Sequence, residues 1–406
     1  MREPAVLFYC QHVLGMGHLV RSLALARALA DRFRVVFLNG GPVPRGLPRP
    51  AGIEFVDLPP LGFDATDRLV SRDSHRPLED AQRERRETIL RTFHRLQPRA
   101  VVVELFPFGR RKFAAELLPL FEEAHAGGAH RPLLLSSLRD ILTTGRRDQA
   151  RCDERACMLA NRYLDAILVH ADPHFARLED SFHPEQDLRV PVFYTGFVVP
   201  PGTARRVGPC RTRRLIVSAG GGLAGGPLFH AAVEAYGFLW RRERLRTTVV
   251  AGPFLPETDW RALRRAAREV AGLELRRSVP DLGQELCGAA ASVSQCGYNT
   301  ALDIVRARVP ALVVPCSELG KDEQWVRARR LERLGVVRVL EPERLDGPTL
   351  AAEVRALLGF RPSPLALDLG GAPRTVALLD EMLDGARRAR APADEGVGEC
   401  SGGSGC

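Results

Sequence analysis

The strongest constraint on the fold is an alternation of short apolar, β-branched runs with Gly-rich turns and helical stretches, repeated in both halves of the chain. Continuous apolar runs of four to seven residues are typical of strands buried on both faces, and strands that alternate with helices form parallel sheets. The first half therefore predicts a doubly wound α/β domain. Its apolar runs are at residues 5–9, 34–38, 100–103, 133–135 and 166–169.

The second half repeats the pattern after a break rich in Pro, Gly and Val at residues 191–209, which predicts a linker. We expect one domain over residues 1–198 and a second over 199–372, followed by an amphipathic helix at 373–390 that could cross back to the first domain and a disordered tail at 391–406. In such sheets ligands bind beyond the carboxyl ends of the strands, so a cleft between the domains is the expected site. The second-half runs are at residues 215–217, 247–250, 273–275, 292–293 and 311–314.

The charge of the chain does not indicate nucleic-acid binding, although the net charge is +9. All but two of the 58 basic residues are arginines, and they are scattered among acids along the chain. Aromatic residues make up only 6% of the sequence, too few for the stacking surfaces on which single strands bind. Anionic substrates and a peripheral contact with the inner face of a membrane stay open.

The cysteines and the apolar runs indicate a cytoplasmic protein. No run reaches the roughly 18 to 20 apolar residues of a membrane helix. The nine cysteines include no Cys-x-x-Cys pair, which favours free thiols in a reducing compartment. Cys400 and Cys406 leave open a metal site or a disulfide in the tail. No Asp-x-Asp motif is present, so we expect no bound metal, and no cofactor is predicted.

A first Gly-rich loop, Gly15-Met16-Gly17-His18, lies between a predicted strand and a predicted helix. Glycines there allow close approach of a ligand, and the helix N-terminus favours anions. The same dipole disfavours imidazolium, so His18 is expected to be neutral and able to accept a proton, unless it only caps or packs. Arg21 could hold an anionic group or simply be solvated. A dinucleotide fingerprint would need a glycine at Val20, so a nicotinamide dehydrogenase is not expected.

A second Gly-rich loop follows the strand at residues 215–217. The amides of Gly220, Gly221 and Gly222 could cradle a diphosphate, and the alternative is a flexible strand-to-helix turn.

The most specific stretch runs from Ser294 to Gly335. Gly297 turns the chain after a strand, and Asn299 or Thr300 is expected to cap the next helix. Asp303 follows Asn299 by four residues, so both share one helix face. A carboxylate beside an anion-binding helix end can accept hydrogen bonds from a ribose diol while free amides face phosphates.

This stretch resembles the nucleotide-sugar signature of GT-B glycosyltransferases, most of all that of family 28. The resemblance implies that Gly297 and Thr300 meet the diphosphate of the donor, Asp303 the ribose and Gln324 the donor sugar. It also implies that the loop around Gly15 and Gly17 lies beside the acceptor site. The whole chain to about residue 390 resembles a group of predicted bacterial glycosyltransferases.

Three residues depart from the family pattern: the ribose acid is Asp303 rather than Glu, Gly220 stands where a Ser is common, and Val309 replaces the glycine of a Gly-x-Pro strand. The Gly-x-Gly-His-x-x-Arg form, with His18 and Arg21, is also similar to the UDP-sugar hydrolase of pseudaminic acid synthesis.

The sequence thus predicts a metal-independent, inverting transfer of a sugar from a nucleotide diphosphate sugar, UDP-sugar foremost, to an unidentified hydroxyl acceptor, with His18 as general base. Glu104, at a predicted strand end, is the reserve base, or a structural partner for Arg110 or Arg111. Two alternatives stay open, a nucleotide-sugar hydrolase using the same site and a non-catalytic nucleotide-sugar-binding subunit. The acceptor, lipid-linked, polysaccharide or otherwise, is not identified.

Arg139-Asp140 is interpreted as an ion pair at another strand end.

Overall fold

Two parallel sheets organise the chain in the computed structural model, one in each half. The structure describes residues 3–12, 16–43, 49–64, 66, 68–200, 212–268, 270–316 and 322–388. Gly15, Cys400, Cys406 and the predicted tail at 391–406 lie outside these ranges. Within them the predicted α/β fold with two doubly wound sheets is confirmed.

The first sheet has seven parallel strands in the order β3-β2-β1-β6-β7-β8-β9, and a two-stranded antiparallel hairpin, β4-β5, lies outside it. α-Helices lie between β1 and β2, between β5 and β6, between β6 and β7 and between β7 and β8, as a sheet covered on both faces requires. The strands are β1 (Ala5–Cys10), β2 (Arg34–Asn39), β3 (Ile53–Asp57), β4 (Leu61–Phe63), β5 (Leu69–Ser71), β6 (Ala100–Glu104), β7 (Leu133–Arg139), β8 (Ala166–His170) and β9 (Val192–Tyr194). The helices are α1 (Gly17–Leu29), α2 (Leu78–Leu96), α3 (Ala114–Ala126) and α4 (Gln149–Tyr163).

The second sheet has six parallel strands in the order β12-β11-β10-β13-β14-β15. Its strands are β10 (Thr212–Ser218), β11 (Arg246–Val250), β12 (Leu273–Arg276), β13 (Ala289–Ser294), β14 (Ala311–Val313) and β15 (Arg338–Val339). Its helices are α5 (Gly226–Glu243), α6 (Glu257–Ala267), α7 (Leu282–Cys287), α8 (Tyr298–Ala307), α9 (Glu323–Arg333) and α10 (Gly347–Leu358).

Every strand predicted from an apolar run is present, and the strands that the sequence did not predict lie at sheet edges or outside the sheets. β3, β9 and β15 are edge strands, and the side chains of β9 are only partly buried. β9 falls inside the predicted linker at residues 191–209, so the start of that stretch is a strand of the first sheet, within the 1–198 bounds predicted for the first domain.

A final helix, α11 (Gly371–Arg388), packs on the first domain rather than the second. Leu379 and Leu383 are buried in the same apolar cluster as Leu19 and Leu23 of α1. The segment that leads into α11 is held by backbone hydrogen bonds, among them one from the amide of Phe197 to the carbonyl of Asp368 (2.6 Å). The second half of the chain therefore completes the core of the first.

The two domains are joined by a buried, bidentate ion pair between Asp140, just after β7, and Arg327 on α9. Nε and Nη2 of Arg327 each lie 2.7 Å from a carboxylate oxygen of Asp140, and both side chains are 2% or less exposed. Arg139 pairs with Glu323 across the same boundary at 3.3 Å. The interpretation of Arg139-Asp140 as a local ion pair is therefore wrong, because each residue pairs with the other domain.

Tyr298, the first residue of α8, joins the domains at a second point. Its hydroxyl donates to the carbonyl of His170 (2.9 Å) and accepts from the amide of Val198 (3.0 Å). Its ring lies under the guanidinium of Arg21, 5.5 Å from the ring centroid. The start of α8 is thereby fixed against the strand ends of the first sheet.

Replacing Asp140 with Ala should destabilise the protein by about 3–5 kcal/mol, because Arg327 would be left buried without its counterion. Chemical denaturation followed by circular dichroism measures this. The control is Asp31→Ala, which removes an exposed ion pair with Arg27 and should change the free energy of unfolding by less than about 0.5 kcal/mol. Equal, small effects of both substitutions would contradict the dependence of stability on the interdomain pair.

Candidate active site between the domains

The candidate site lies where the carboxyl ends of β1, β6 and β7 of the first sheet meet the start of α8 from the second domain. A contact between the two sides lies at the first Gly-rich loop, where Nδ2 of Asn299 is 3.4 Å from the carbonyl oxygen of Gly17. Since Gly17 is the first residue of α1 and Asn299 the second of α8, two helix N-termini converge here. Each presents the positive end of a helix dipole to the same space.

His18 and Glu104, which the sequence proposed as alternative bases, are brought into direct contact. Nδ1 of His18 lies 2.5 Å from Oε1 of Glu104. Glu104 is the last residue of β6 and is fully buried, whereas 19% of the His18 side chain is exposed. A neutral imidazole that donates Nδ1–H to a carboxylate keeps the lone pair of Nε2 free to accept a proton.

Two arginines hold the same carboxylate. Nη2 of Arg21 donates to Oε1 of Glu104 at 2.6 Å, and Nε of Arg110 lies 3.6 Å from Oε2. Arg21 is 1% exposed and comes from α1, one helical turn beyond His18. Glu104 thus aligns His18 and Arg21. Of the two structural partners predicted for it, Arg110 lies beside it, whereas Arg111 lies beside Asp148.

The protonation states of this cluster follow from burial and charge. Burial lowers the pKa of His18 well below its ordinary value; Glu104 acts against this, and the positive charge of Arg110 adds to it. Burial would raise the pKa of Glu104, but His18, Arg110 and Arg21 together hold that pKa well below its usual range. His18 is therefore neutral and Glu104 ionised at physiological pH. The helix dipole, which motivated the prediction of a neutral His18, is not needed to explain it.

The start of α8 differs from the sequence prediction. The helix begins at Tyr298 with Gly297 as its N-cap residue, and no side chain caps it. The prediction that Asn299 or Thr300 caps the helix is therefore wrong: both lie inside its first turn. No side-chain cap is present at α1 or α5 either. Helices α2, α3, α4, α6 and α9 lack one as well, and only α7 and α10 are capped by a side chain among the described helices whose N-cap is defined. The uncapped start of α8 is therefore not peculiar to this site, but it leaves first-turn amides for another acceptor, as an anion site requires.

The second Gly-rich loop lies next to α8. A Cβ placed on Gly220 would lie 4.0 Å from Oγ1 of Thr300, and Nε2 of Gln295 donates to the carbonyl of Ala224 (2.8 Å). Gly222 has a φ of +90°, and a Cβ there would lie 2.1 Å from the carbonyl oxygen of Ala251. This glycine is required by the fold, and its amide donates to the carbonyl of Ala219 (2.9 Å), so that amide is not free for a diphosphate as predicted.

Gly297 contrasts with Gly222. Its φ of −66° is open to any residue, and no described atom lies within 4 Å of where its Cβ would be. The fold described here does not explain a glycine at this position, whereas close approach of a ligand to the backbone would.

The remaining predicted donor residues are less directly placed. Asp303 is partly buried in the second turn of α8, and its role at a ribose stays a prediction. Oε1 of Gln324 accepts from the amides of Cys296 (3.1 Å) and Cys316 (3.2 Å), so it ties the loops after β13 and β14 together. Only its amide nitrogen would serve a donor sugar.

Sequence reasoning missed several polar side chains at the strand ends. Ser218 and Ser294 are the last residues of β10 and β13, pair in register, and have buried hydroxyls without a hydrogen-bond partner. Arg139, which the sequence suggested only as an ion-pair partner of Asp140, ends β7 and has a buried Nε without a hydrogen-bond partner. The rule that ligands bind at carboxyl ends of strands could have singled these residues out. In the described ranges, no three His, Cys, Asp or Glu side chains are grouped as metal ligands, and no helix is long and apolar enough to cross a membrane.

Comparison with known proteins adds the family context. No family model matches the chain. A stretch of 85 residues is 32% identical to the UDP-N-acetylglucosamine–N-acetylmuramyl-(pentapeptide) pyrophosphoryl-undecaprenol N-acetylglucosamine transferase of Anaeromyxobacter. That stretch covers 21% of this chain and 22% of the relative, so the chain matches about a fifth of the relative's length.

Solved structures match over almost the entire chain. The calicheamicin glycosyltransferase CalG4 has a TM-score of 0.57 and 18% identity, over 96% of this chain and 97% of its own. UGT2 of Phytolacca americana, complexed with UDP-2-fluoro-glucose and pterostilbene, has a TM-score of 0.55 and 16% identity, over 97% and 96%. MurG of Acinetobacter baumannii has a TM-score of 0.52 and 14% identity, over 95% of each chain. The chain has the GT-B fold. The resemblance to the hydrolase of pseudaminic acid synthesis stays a prediction.

Replacing Gly297 with Ala should leave the free energy of unfolding within about 1 kcal/mol of the original, because the backbone there is unstrained and the space is open. Gly222→Ala, the matched control, should cost at least about 1–3 kcal/mol through its positive φ alone, before its collision with Ala251. Denaturant midpoints measure both. If Gly297→Ala proved as destabilising as Gly222→Ala, the fold itself would require Gly297.

Proposed function

We propose that the chain is a glycosyltransferase that moves a sugar from a nucleotide diphosphate sugar, a UDP-sugar foremost, to a hydroxyl group of an acceptor, with inversion and without a bound metal. Inversion and the choice of UDP rest on the resemblance to GT-B enzymes. The observation that carries the proposal is the meeting of the His18–Glu104 pair with the uncapped start of α8, linked at 3.4 Å through Gly17 and Asn299.

In the proposed reaction His18 takes the proton of the acceptor. Glu104 holds Nδ1–H, so Nε2 accepts the hydroxyl proton while the acceptor oxygen forms a bond to the anomeric carbon. The carbon–oxygen bond to the diphosphate breaks, and its electron pair leaves with the nucleoside diphosphate. The imidazolium that forms is stabilised by the ionised Glu104. In this mechanism Glu104 therefore supports His18 and is not itself the base.

The leaving diphosphate would be received by the second domain. The first turn of α8, from Tyr298 on, has amides without a side-chain cap, and Gly220 of the second Gly-rich loop lies near Thr300. The amides of Gly220 and Gly221 would add to this site, whereas that of Gly222 already donates to the carbonyl of Ala219 (2.9 Å). Fixed amides and helix dipoles stabilise charge that develops in the transition state without reorganising. Asp303 would hold the ribose, one helical turn beyond Asn299, as the resemblance implies.

The donor class is tested by thermal stabilisation of the purified protein with a panel of nucleoside diphosphates, since a ligand that binds the folded state raises its stability. We expect UDP to raise the melting temperature. We expect Asp303→Ala to reduce the affinity for UDP by about tenfold or more, because hydrogen bonds from a diol to a partly buried carboxylate contribute on the order of 1.5 kcal/mol. Asp384→Ala, an acid on α11 that is 48% exposed, is the control and should bind UDP normally. Unchanged UDP affinity in Asp303→Ala would remove the ribose assignment.

Replacing His18 with Ala should reduce sugar transfer at least about a hundredfold, the usual contribution of a general base, while UDP affinity stays the same. The release of nucleoside diphosphate from a UDP-sugar measures turnover. His174→Ala, which removes a histidine that is 94% exposed, is the matched control and should keep full activity. Wild-type turnover in His18→Ala would exclude His18 as the base.

The same assay separates the alternatives. Donor breakdown without any acceptor, at the full rate of turnover, would favour a nucleotide-sugar hydrolase with water in the place of the acceptor. Binding of nucleotide without turnover, unaffected by His18→Ala, would favour a non-catalytic nucleotide-sugar-binding subunit.

A further inference from the structure

The cluster around Glu104 contains more positive than negative charge. Arg21 and Arg110 both approach this one carboxylate, but only Arg21 is hydrogen-bonded to it, at 2.6 Å. The neighbouring arginines have carboxylates of their own: Arg327 is paired with Asp140 and Arg139 with Glu323. Among the described residues, Arg110 therefore shares with Arg21 the one carboxylate that lies beside it.

The guanidinium of Arg110 is also short of hydrogen bonds. Its side chain is 14% exposed, and its nearest carboxylate oxygen, Oε2 of Glu104, lies 3.6 Å from Nε, beyond hydrogen-bonding distance. Nε of Arg110 and Oε2 of Glu104 are both buried and without a hydrogen-bond partner. A guanidinium has five N–H donors, and leaving a buried charged group unsatisfied is costly, so a ligand is the natural source of the missing acceptor.

Arg110 lies on the first domain's side of the site, next to His18. His18 lies on Oε1 of Glu104 and Arg110 lies beside Oε2, so the two side chains flank a single carboxylate. Arg110 is close enough for its charge to lower the pKa of His18. It follows β6 of the first domain, whereas the uncapped start of α8 and the second Gly-rich loop belong to the second.

We propose that Arg110 binds an anionic group, carboxylate or phosphate, that the acceptor carries close to the hydroxyl deprotonated by His18. The planar fork of a guanidinium matches both groups in bidentate fashion. This inference rests on the proposed function and adds the chemical class of the acceptor: a sugar acid, a sugar phosphate or a comparable anionic hydroxyl compound.

The test is a binding experiment at constant ionic strength with UDP held at saturation, so that the diphosphate site is already filled. The probes are glucose, glucuronate, glucose 6-phosphate, acetate and inorganic phosphate, and thermal stabilisation is the readout. We expect the wild-type protein to be stabilised by the anionic probes and not by glucose. Glucuronate and acetate against glucose 6-phosphate and phosphate distinguish the two anionic groups.

In Arg110→Gln the affinity for the stabilising anions should fall by at least about tenfold, with UDP affinity unchanged. Arg111→Gln is the matched control, because the neighbouring Arg111 is 39% exposed and lies beside Asp148 on the surface, and it should bind as the wild type does. Arg110→Lys keeps the charge without the fork and should lose part of the affinity, which keeps the test usable if Arg110→Gln does not fold.

Three results would overturn the proposal: equal stabilisation by glucose and the anions, anion binding that survives Arg110→Gln, or a loss of UDP affinity in Arg110→Gln equal to the loss for the anions. The last would assign Arg110 to the donor diphosphate. A failure of the proposed function is distinguishable, because it would appear as no stabilisation by UDP in any variant, before the anionic probes are added.

Discussion

The site depends on one fully buried carboxylate, that of Glu104 at the end of β6. Burying an ionised carboxylate is costly unless charged and hydrogen-bonding groups surround it, and His18, Arg21 and Arg110 supply these from two segments of the chain. The requirement works in both directions. The carboxylate needs its partners, and the orientations of His18 and Arg21 on α1 are fixed because they satisfy it.

The same need to pair buried charges acts at the boundary between the domains. Asp140 and Arg327 are both buried, and either charge would be strongly destabilising without the other. The position of α9 is therefore tied to the end of β7. Tyr298 fixes the start of α8 through two hydrogen bonds to the first domain and stacks against Arg21, which in turn holds Glu104. A continuous series of contacts therefore runs from the first turn of α8 to the His18–Glu104 pair. The two halves of the candidate site are held in register by groups that cannot separate without leaving charge or hydrogen-bonding atoms unsatisfied.

The strands were predictable from the sequence to the extent that they are buried on both faces. The runs at residues 5–9 and 100–103 lie inside β1 and β6 because a central parallel strand is apolar throughout. β15 is only two residues long and begins with Arg338, so no apolar run marks it. β9 is the apolar run Val192-Phe193-Tyr194, and it was missed because it lies inside the Pro- and Gly-rich stretch interpreted as a linker. Predictions from neighbouring residues were also wrong where a side chain pairs with the other domain, as Arg139 and Asp140 do.

The residues of the site were predictable one by one, but not their contacts. His18 and Glu104 were each singled out by position at a helix start and a strand end, yet 86 residues separate them, and nothing local indicates that they touch. Arg139-Asp140 suggested a local pair because opposite charges are adjacent in sequence, although adjacent residues of an extended segment point apart. Asn299 and Thr300 are good capping residues, but the helix begins one residue before Asn299, which leaves both inside the first turn.

The position of α11 has a consequence for synthesis on the ribosome. The apolar face of α1, with Leu19 and Leu23, is made before the second sheet, whereas Leu379 and Leu383, which cover it, are made after that sheet. Domains generally fold as they emerge, N-terminal first. Here the first domain emerges with part of its apolar surface uncovered and keeps it so while the whole second sheet is being translated. While the second sheet is translated, this apolar surface of the nascent chain is therefore exposed, and a truncated chain that lacks α11 would keep it exposed.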